Sequence, residues 1–126
     1  MKLRVMLITD GMFSGTGFGE EARHVFFRLA QTGQFEIVWF GLTQQGFPVE
    51  IPDSVFPDIP HKGAKITMLG THGDPYSFGS MAFPKHYIDY RPEIIFFMGD
   101  PMNISGYKVW KEKFNFPLFM YVTLDG

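Results

Sequence analysis

Side chains that can contact a hydroxylated ligand recur at the ends of apolar runs in this sequence: Asp10, Thr43, Thr71 with His72 and Asp74, Asp100 with Asn103, and Asp125. Carboxylates, hydroxyls, an imidazole and an amide together supply the donors and acceptors that sugar hydroxyls need. Taken singly, an Asp after a strand is more often a turn former or a helix cap, and Asp74 reads that way. Between Asp10 and Glu20 runs a glycine-rich turn, in which Gly11, Gly15, Gly17 and Gly19 alternate with Met12, Phe13, Ser14, Thr16 and Phe18. Glycine lets backbone N–H groups approach a ligand with no Cβ in the way, and free N–H groups at a helix start favour anions. No Lys or Arg lies between Asp10 and Glu21, however, and Glu20 and Glu21 open the following helix. The turn therefore suits neutral hydroxyls, or an anion whose charge is matched elsewhere. The plainer alternative is a solvent-exposed connection.

Known motifs test the same turn. Gly15-Thr16-Gly17-Phe18-Gly19-Glu20 places its third glycine one position early for a dinucleotide fingerprint, and the next strand ends Trp39-Phe40-Gly41 with no acid to hold a ribose. No G-K-[ST] follows, which excludes a P-loop, and no G-x-S-x-G elbow occurs to carry a nucleophilic serine. The histidines His24, His61, His72 and His86 lack metal-ligand spacing apart from His72-x-Asp74 and His86-x-x-Asp89, so no metal site is expected. His24 and His86 read as helix-surface residues. No cofactor is expected either.

The composition narrows the partners. The net charge is −2, with 11 basic and 13 acidic residues spread without runs, which argues against nucleic acid. No apolar run approaches the ~20 residues of a membrane span, and Met1-Lys2 leads straight into a strand rather than a signal peptide. There is no cysteine, hence no disulfide or thiolate chemistry. A cytoplasmic setting is the default expectation. Fifteen Phe imply a bulky core. Loop aromatics such as Phe47, Phe56 and Phe78 are expected to tuck back onto it, while Phe13 and Phe18, beside the glycines, are candidates to stack on a sugar or lipid.

The elements that must position these groups follow from periodicity. Arg4–Ile8 reads as a buried strand, and Ala22, Val25, Phe26, Leu29 and Ala30 mark a helix from Glu20 that Gly33 closes. Phe35–Phe40, Lys65–Leu69, Glu93–Met98 and Pro117–Val122 are further strands, with Val49–Ile51 a short edge strand among prolines. Helices are expected over Phe83–Tyr90, with Pro84 in its first turn and Arg91-Pro92 at its end, and over Ser105–Lys113. Alternating strands and helices give an α/β fold: a three-layer, doubly wound, mainly parallel, Rossmann-like sheet in one domain spanning residues 1–126. The residues after each strand then share one rim. Three helices are few for both faces, and the chain stops after a buried strand, so a truncated chain or the first domain of something longer is expected.

Ile8-Thr9-Asp10-Gly11, Gly15-Thr16-Gly17-Phe18-Gly19-Glu20-Glu21-Ala22, Arg91-Pro92-Glu93-Ile94-Ile95 and Tyr121-Val122-Thr123-Leu124-Asp125-Gly126 together resemble the amino-terminal domain of GT-B fold glycosyltransferases, nearest the retaining group-1 set of family 4. The resemblance implies a two-domain enzyme, with the acceptor held by this domain and the nucleotide-sugar mostly by a carboxy-terminal domain that this chain lacks. Gly15, Thr16 and Gly17 would then form the cleft loop, and Asp100 and Asp125 would line the acceptor side, Asp125 as the candidate catalytic residue where many relatives carry a histidine; Phe18 beside the glycines and His72 and Asn103 of the strand-end rim complete the expected substrate-binding set. The acceptor would be a sugar or a lipid-linked acceptor, and the whole protein would sit in the cytoplasm or peripherally at the inner face of the membrane. The fragment alone would be inactive. A non-catalytic flavodoxin-like or response-regulator-like binding module and a nucleotide-dependent oxidoreductase fragment are the alternatives. A phosphoacceptor module would want clustered acids after the first strand and a Lys after the last, and Asp10 stands alone with no Lys after Val122.

Overall fold

Apolar strands alternate with helices in a computed structural model that describes residues 2–9, 11–12, 17–42, 48–58, 63–70, 82–99 and 105–121. In chain order the elements are β1 (Leu3–Thr9), α1 (Gly17–Gln31), β2 (Phe35–Gly41), β3 (Val49–Glu50), a 3-10 turn (Asp53–Val55), β4 (Ile66–Leu69), α2 (Phe83–Tyr90), β5 (Ile94–Met98), α3 (Ser105–Phe114) and β6 (Leu118–Tyr121). They form a six-stranded sheet in the order β3-β4-β2-β1-β5-β6, parallel throughout except for β3. The fold is α/β with a mostly parallel sheet, compatible with the Rossmann-like expectation.

Both faces of the sheet are apolar because its central strands have no polar side. In β1, Val5 and Leu7 point into one hydrophobic cluster with Ala22, Phe26, Phe27 and Ala30 of α1, while Met6 and Ile8 point into the other with Phe83 of α2 and Tyr107 of α3. This alternation is the pleat of a strand buried on both sides. The many phenylalanines divide between the clusters. On the α1 face, Phe27 meets Trp39 and Phe56 edge-on at 6.1 and 5.5 Å. On the other face, Phe83 contacts Tyr107 and Phe116, and Tyr87 stacks on Phe114 at 4.6 Å. Phe56 thus packs back as its loop position leads one to expect.

Helix ends follow local chemistry. At the end of α1, Gly33 takes φ +77 and its N–H returns to the Ala30 carbonyl, a conformation that glycine adopts without cost. α2 ends on Arg91, which leaves the right-handed region as the following proline requires but enters the left-handed one (φ 48, ψ 57) rather than extended backbone. Its N–H donates to the Tyr87 carbonyl at 2.8 Å, a bond that the left-handed cap makes possible. Between β2 and β4 the only helical piece among the described residues is the 3-10 turn. Gly63 N–H closes that connection onto the Asp53 carboxylate at 2.9 Å, and Ile51, Val55 and Phe56 pack on the α1 face.

The amino edge of the sheet is tied by charge. Arg4 of β1 faces Glu36 of β2 in register, with Nε 2.5 Å from Oε2, and Lys65 lies 3.4 Å from the other oxygen. The Arg4 guanidinium also donates to the Tyr90 carbonyl at the end of α2, where a cation complements the helix dipole. Burial pushes the Glu36 carboxyl up, but the hydrogen bonds and charges of Arg4 and Lys65 outweigh it and hold the group below its usual 4.5. The stabilisation is therefore complete above about pH 4.5 and is lost as pH falls through the lower folded value. Glu36→Gln should lower unfolding free energy at neutral pH by about 1–2 kcal/mol. In urea titrations the gap between variant and wild type should close as the solution is acidified below that range.

Candidate functional site at the carboxyl edge

Parallel pairing brings the carboxyl ends of β1, β2, β4, β5 and β6 to one edge. From β1 the chain winds outward through β2 to β4, then returns to β5 on the other side of β1. The winding thus reverses between β1 and β5, and in open α/β sheets the crevice for ligands lies at such a reversal. Gly11 and Met12 follow β1 there, Gly99 follows β5, and all three are buried. A Cβ on Gly99 would come within 3.2 Å of the Phe97 ring, so this backbone position has little room for a side chain.

Thr9 holds that edge together. It is fully buried, its hydroxyl donates to the Met98 carbonyl of β5 at 2.7 Å, and its own carbonyl accepts the N–H of Leu42 just after β2 at 2.8 Å. One residue thereby links three strand ends. In sequence Thr9 reads only as the polar stop of an apolar strand, and that stop is the signal that marks it.

α1 fixes the turn from the other side. Arg23 donates from Nη1 to the Met12 carbonyl at 2.7 Å and lies over the Phe56 ring, 4.9 Å from its centroid. Beside it a groove of ≈ 260 Å³ is lined by Glu20, Arg23, His24, Phe56, Pro57 and Asp58. Two carboxylates, a guanidinium and an imidazole over an aromatic wall can exchange hydrogen bonds with a small polar molecule. No sequence pattern marks this groove, because residues 20–24 and 56–58 are brought together by contacts distant in sequence, Phe56 on Phe27 and Arg23 over Phe56.

The sequence-derived site residues divide. Gly17 and Phe18 belong to the first turn of α1, so the helix starts inside the glycine run and not at Glu20. Gly15, Thr16, His72, Asp100, Asn103 and Asp125 lie outside the described residues, as do Asp10, Thr43, Thr71 and Asp74. His24 is exposed as expected. His86 is not: it is 2 % exposed, with Nε2 2.8 Å from the Gly70 carbonyl and its ring edge-on to Phe40. A carbonyl only accepts, so Nε2 carries the proton and the imidazole ties α2 to the end of β4. The helical spacing Phe83, His86, Tyr87, Tyr90 places it on the inner face, a period that outweighs its polarity. Among the described residues no group of three His, Asp or Glu can hold a metal ion, and no helix is long and apolar enough to cross a membrane.

Two substitutions test this framework. Thr9→Val keeps the shape but removes the donor to Met98, and should cost about 1–2 kcal/mol in urea unfolding, whereas Thr9→Ser, which keeps the hydroxyl, should cost about 1 kcal/mol or less. His86→Ala removes both ring packing and the bond to Gly70, and should cost about 2–4 kcal/mol by the same measurement.

Comparison with known proteins adds no relative to this description: no protein-family model, no curated protein and no solved structure matches the chain. The fold and the reversal of winding beside β1 therefore stand as the chain's own features.

Proposed function

We propose that this chain is the amino-terminal, acceptor-side domain of a GT-B glycosyltransferase, a three-layer Rossmann-like unit that works with a nucleotide-sugar domain supplied by a longer polypeptide. The reading rests on one observation: the glycine-bearing turn from β1 to α1 opens at the point where the strand order reverses. In this reading Gly15, Thr16, Gly17 and Phe18 approach the substrates, and His72, Asp100 and Asn103 give hydrogen bonds to acceptor hydroxyls. Asp125 supplies a carboxylate that can take the proton of the attacking hydroxyl. Transfer then occurs in a cleft that only the second domain closes against water.

The alternatives find less support. Counting only the parallel strands, the order here is 3-2-1-4-5, against 2-1-3-4-5 in flavodoxin-like and response-regulator-like modules. A dinucleotide oxidoreductase would place an acid after β2, where the chain runs Phe40-Gly41-Leu42 with Phe40 and Gly41 buried.

The test is transfer and donor hydrolysis with a panel of UDP-, GDP- and ADP-sugars, run on the protein that carries this domain and on the 126-residue chain alone. Turnover by the former and none by the latter is the expected result. In the active protein Asp125→Asn should lower kcat by about 100-fold or more. Silence of the whole protein across the panel overturns the reading.

A further inference from the structure

The groove of ≈ 260 Å³ between α1 and the segment after the 3-10 turn carries charge of both signs: Glu20 and Asp58 are acidic, Arg23 is basic, and Phe56 and Pro57 form an apolar wall. The basic member is fixed. Arg23 donates to the Met12 carbonyl at 2.7 Å and lies 4.9 Å over the Phe56 ring, and Phe56 is itself backed by Phe27 at 5.5 Å. A guanidinium keeps its proton in proteins, so a permanent positive charge stands at a set place in the wall. The acidic members are uncommitted. Among the described residues neither Glu20 nor Asp58 enters a hydrogen bond or an ion pair, whether with Arg23 or with another group. The two signs therefore do not cancel within the chain.

We infer that the groove takes a small zwitterion, a free α-amino acid with an apolar side chain. A ligand of one sign meets a like charge in the wall: an amine meets Arg23, and a carboxylic acid meets Glu20 and Asp58. A neutral ligand leaves both signs without a counterpart. An α-amino acid turns its carboxylate to Arg23 and its ammonium to the two acids, and lays its side chain on Phe56 and Pro57. Because Arg23 and Phe56 are already held in place, binding orders little of the protein. Glu20 and Asp58 are exposed, so water and salt screen the attraction and the dissociation constant is on the order of 1 mM. This inference does not rest on the glycosyltransferase reading.

Titration of the isotopically labelled 126-residue chain with L-valine, L-leucine and L-phenylalanine, each to roughly 20 mM and followed by amide chemical shifts, tests it. At least one of the three should bind, with shifts concentrated at Glu20, Arg23, His24, Phe56 and Asp58. The decarboxylated amine and the N-acetyl derivative of that amino acid each lack one charge and should bind at least about fivefold more weakly. Glu20→Gln and Asp58→Asn should each weaken binding about threefold or more while leaving the circular dichroism spectrum unchanged, because both side chains are exposed. Should one of them fail to fold, the other carries the test. No shift with any of the three, shifts centred away from the groove, equal binding of the amine or of the N-acetyl derivative, or wild-type binding by either folded variant overturns the inference.

Discussion

The hydrogen bond from the Thr9 hydroxyl to the Met98 carbonyl is the contact on which the carboxyl edge depends, because it spans the point where the winding of the sheet reverses. Parallel pairing alone holds β1 to β5 from Val5 to Ile8 and then stops. Beyond that register the Thr9 hydroxyl joins the two strand ends, and through its carbonyl Thr9 also anchors Leu42 after β2. A hydroxyl in a fully buried position is costly unless bonded, so the pairing is specified in geometry as well as in energy. With the strand ends held, Gly11 and Gly99 lie buried just beyond β1 and β5.

The opposite edge is organised by other means. There Arg4 gathers Glu36, the carboxyl end of α2 and, through its own N–H, the Glu93 carboxylate. Between the two edges the sheet is apolar on both faces, and the aromatic rings of α2, α3 and Phe116 fill one face while α1 and the segment around Phe56 fill the other. Among the described residues, the ion pairs that tie one strand to another thus gather at the amino rim.

Much of this architecture is legible in the residues. Every strand and helix expected from periodicity forms, within a few residues at each end, since apolar runs of four to seven residues leave little choice between them. What escapes is set by contacts distant in sequence. α1 begins at Gly17, since a glycine run has no local propensity that marks where a helix starts. His86 is internal because Phe40 and Gly70 come from strands that sequence reading treats separately. The groove beside Arg23 arises from the same kind of meeting. Of the candidate site, Thr9 and the reversal beside β1 can be placed on the structure, whereas His72, Asp100, Asn103 and Asp125 fall outside the described residues.

The reversal also orders the assembly of the molecule. β1, α1 and β2 are contiguous and can close on one another early, but Thr9 and Met98 are 89 residues apart. Contacts of such separation come at a large loop-closure entropy and form slowly. The carboxyl ends of β1 and β5 are therefore joined only when the second half of the sheet docks on the first, so a partly folded chain carries a complete β1-α1-β2 unit without the Thr9–Met98 contact.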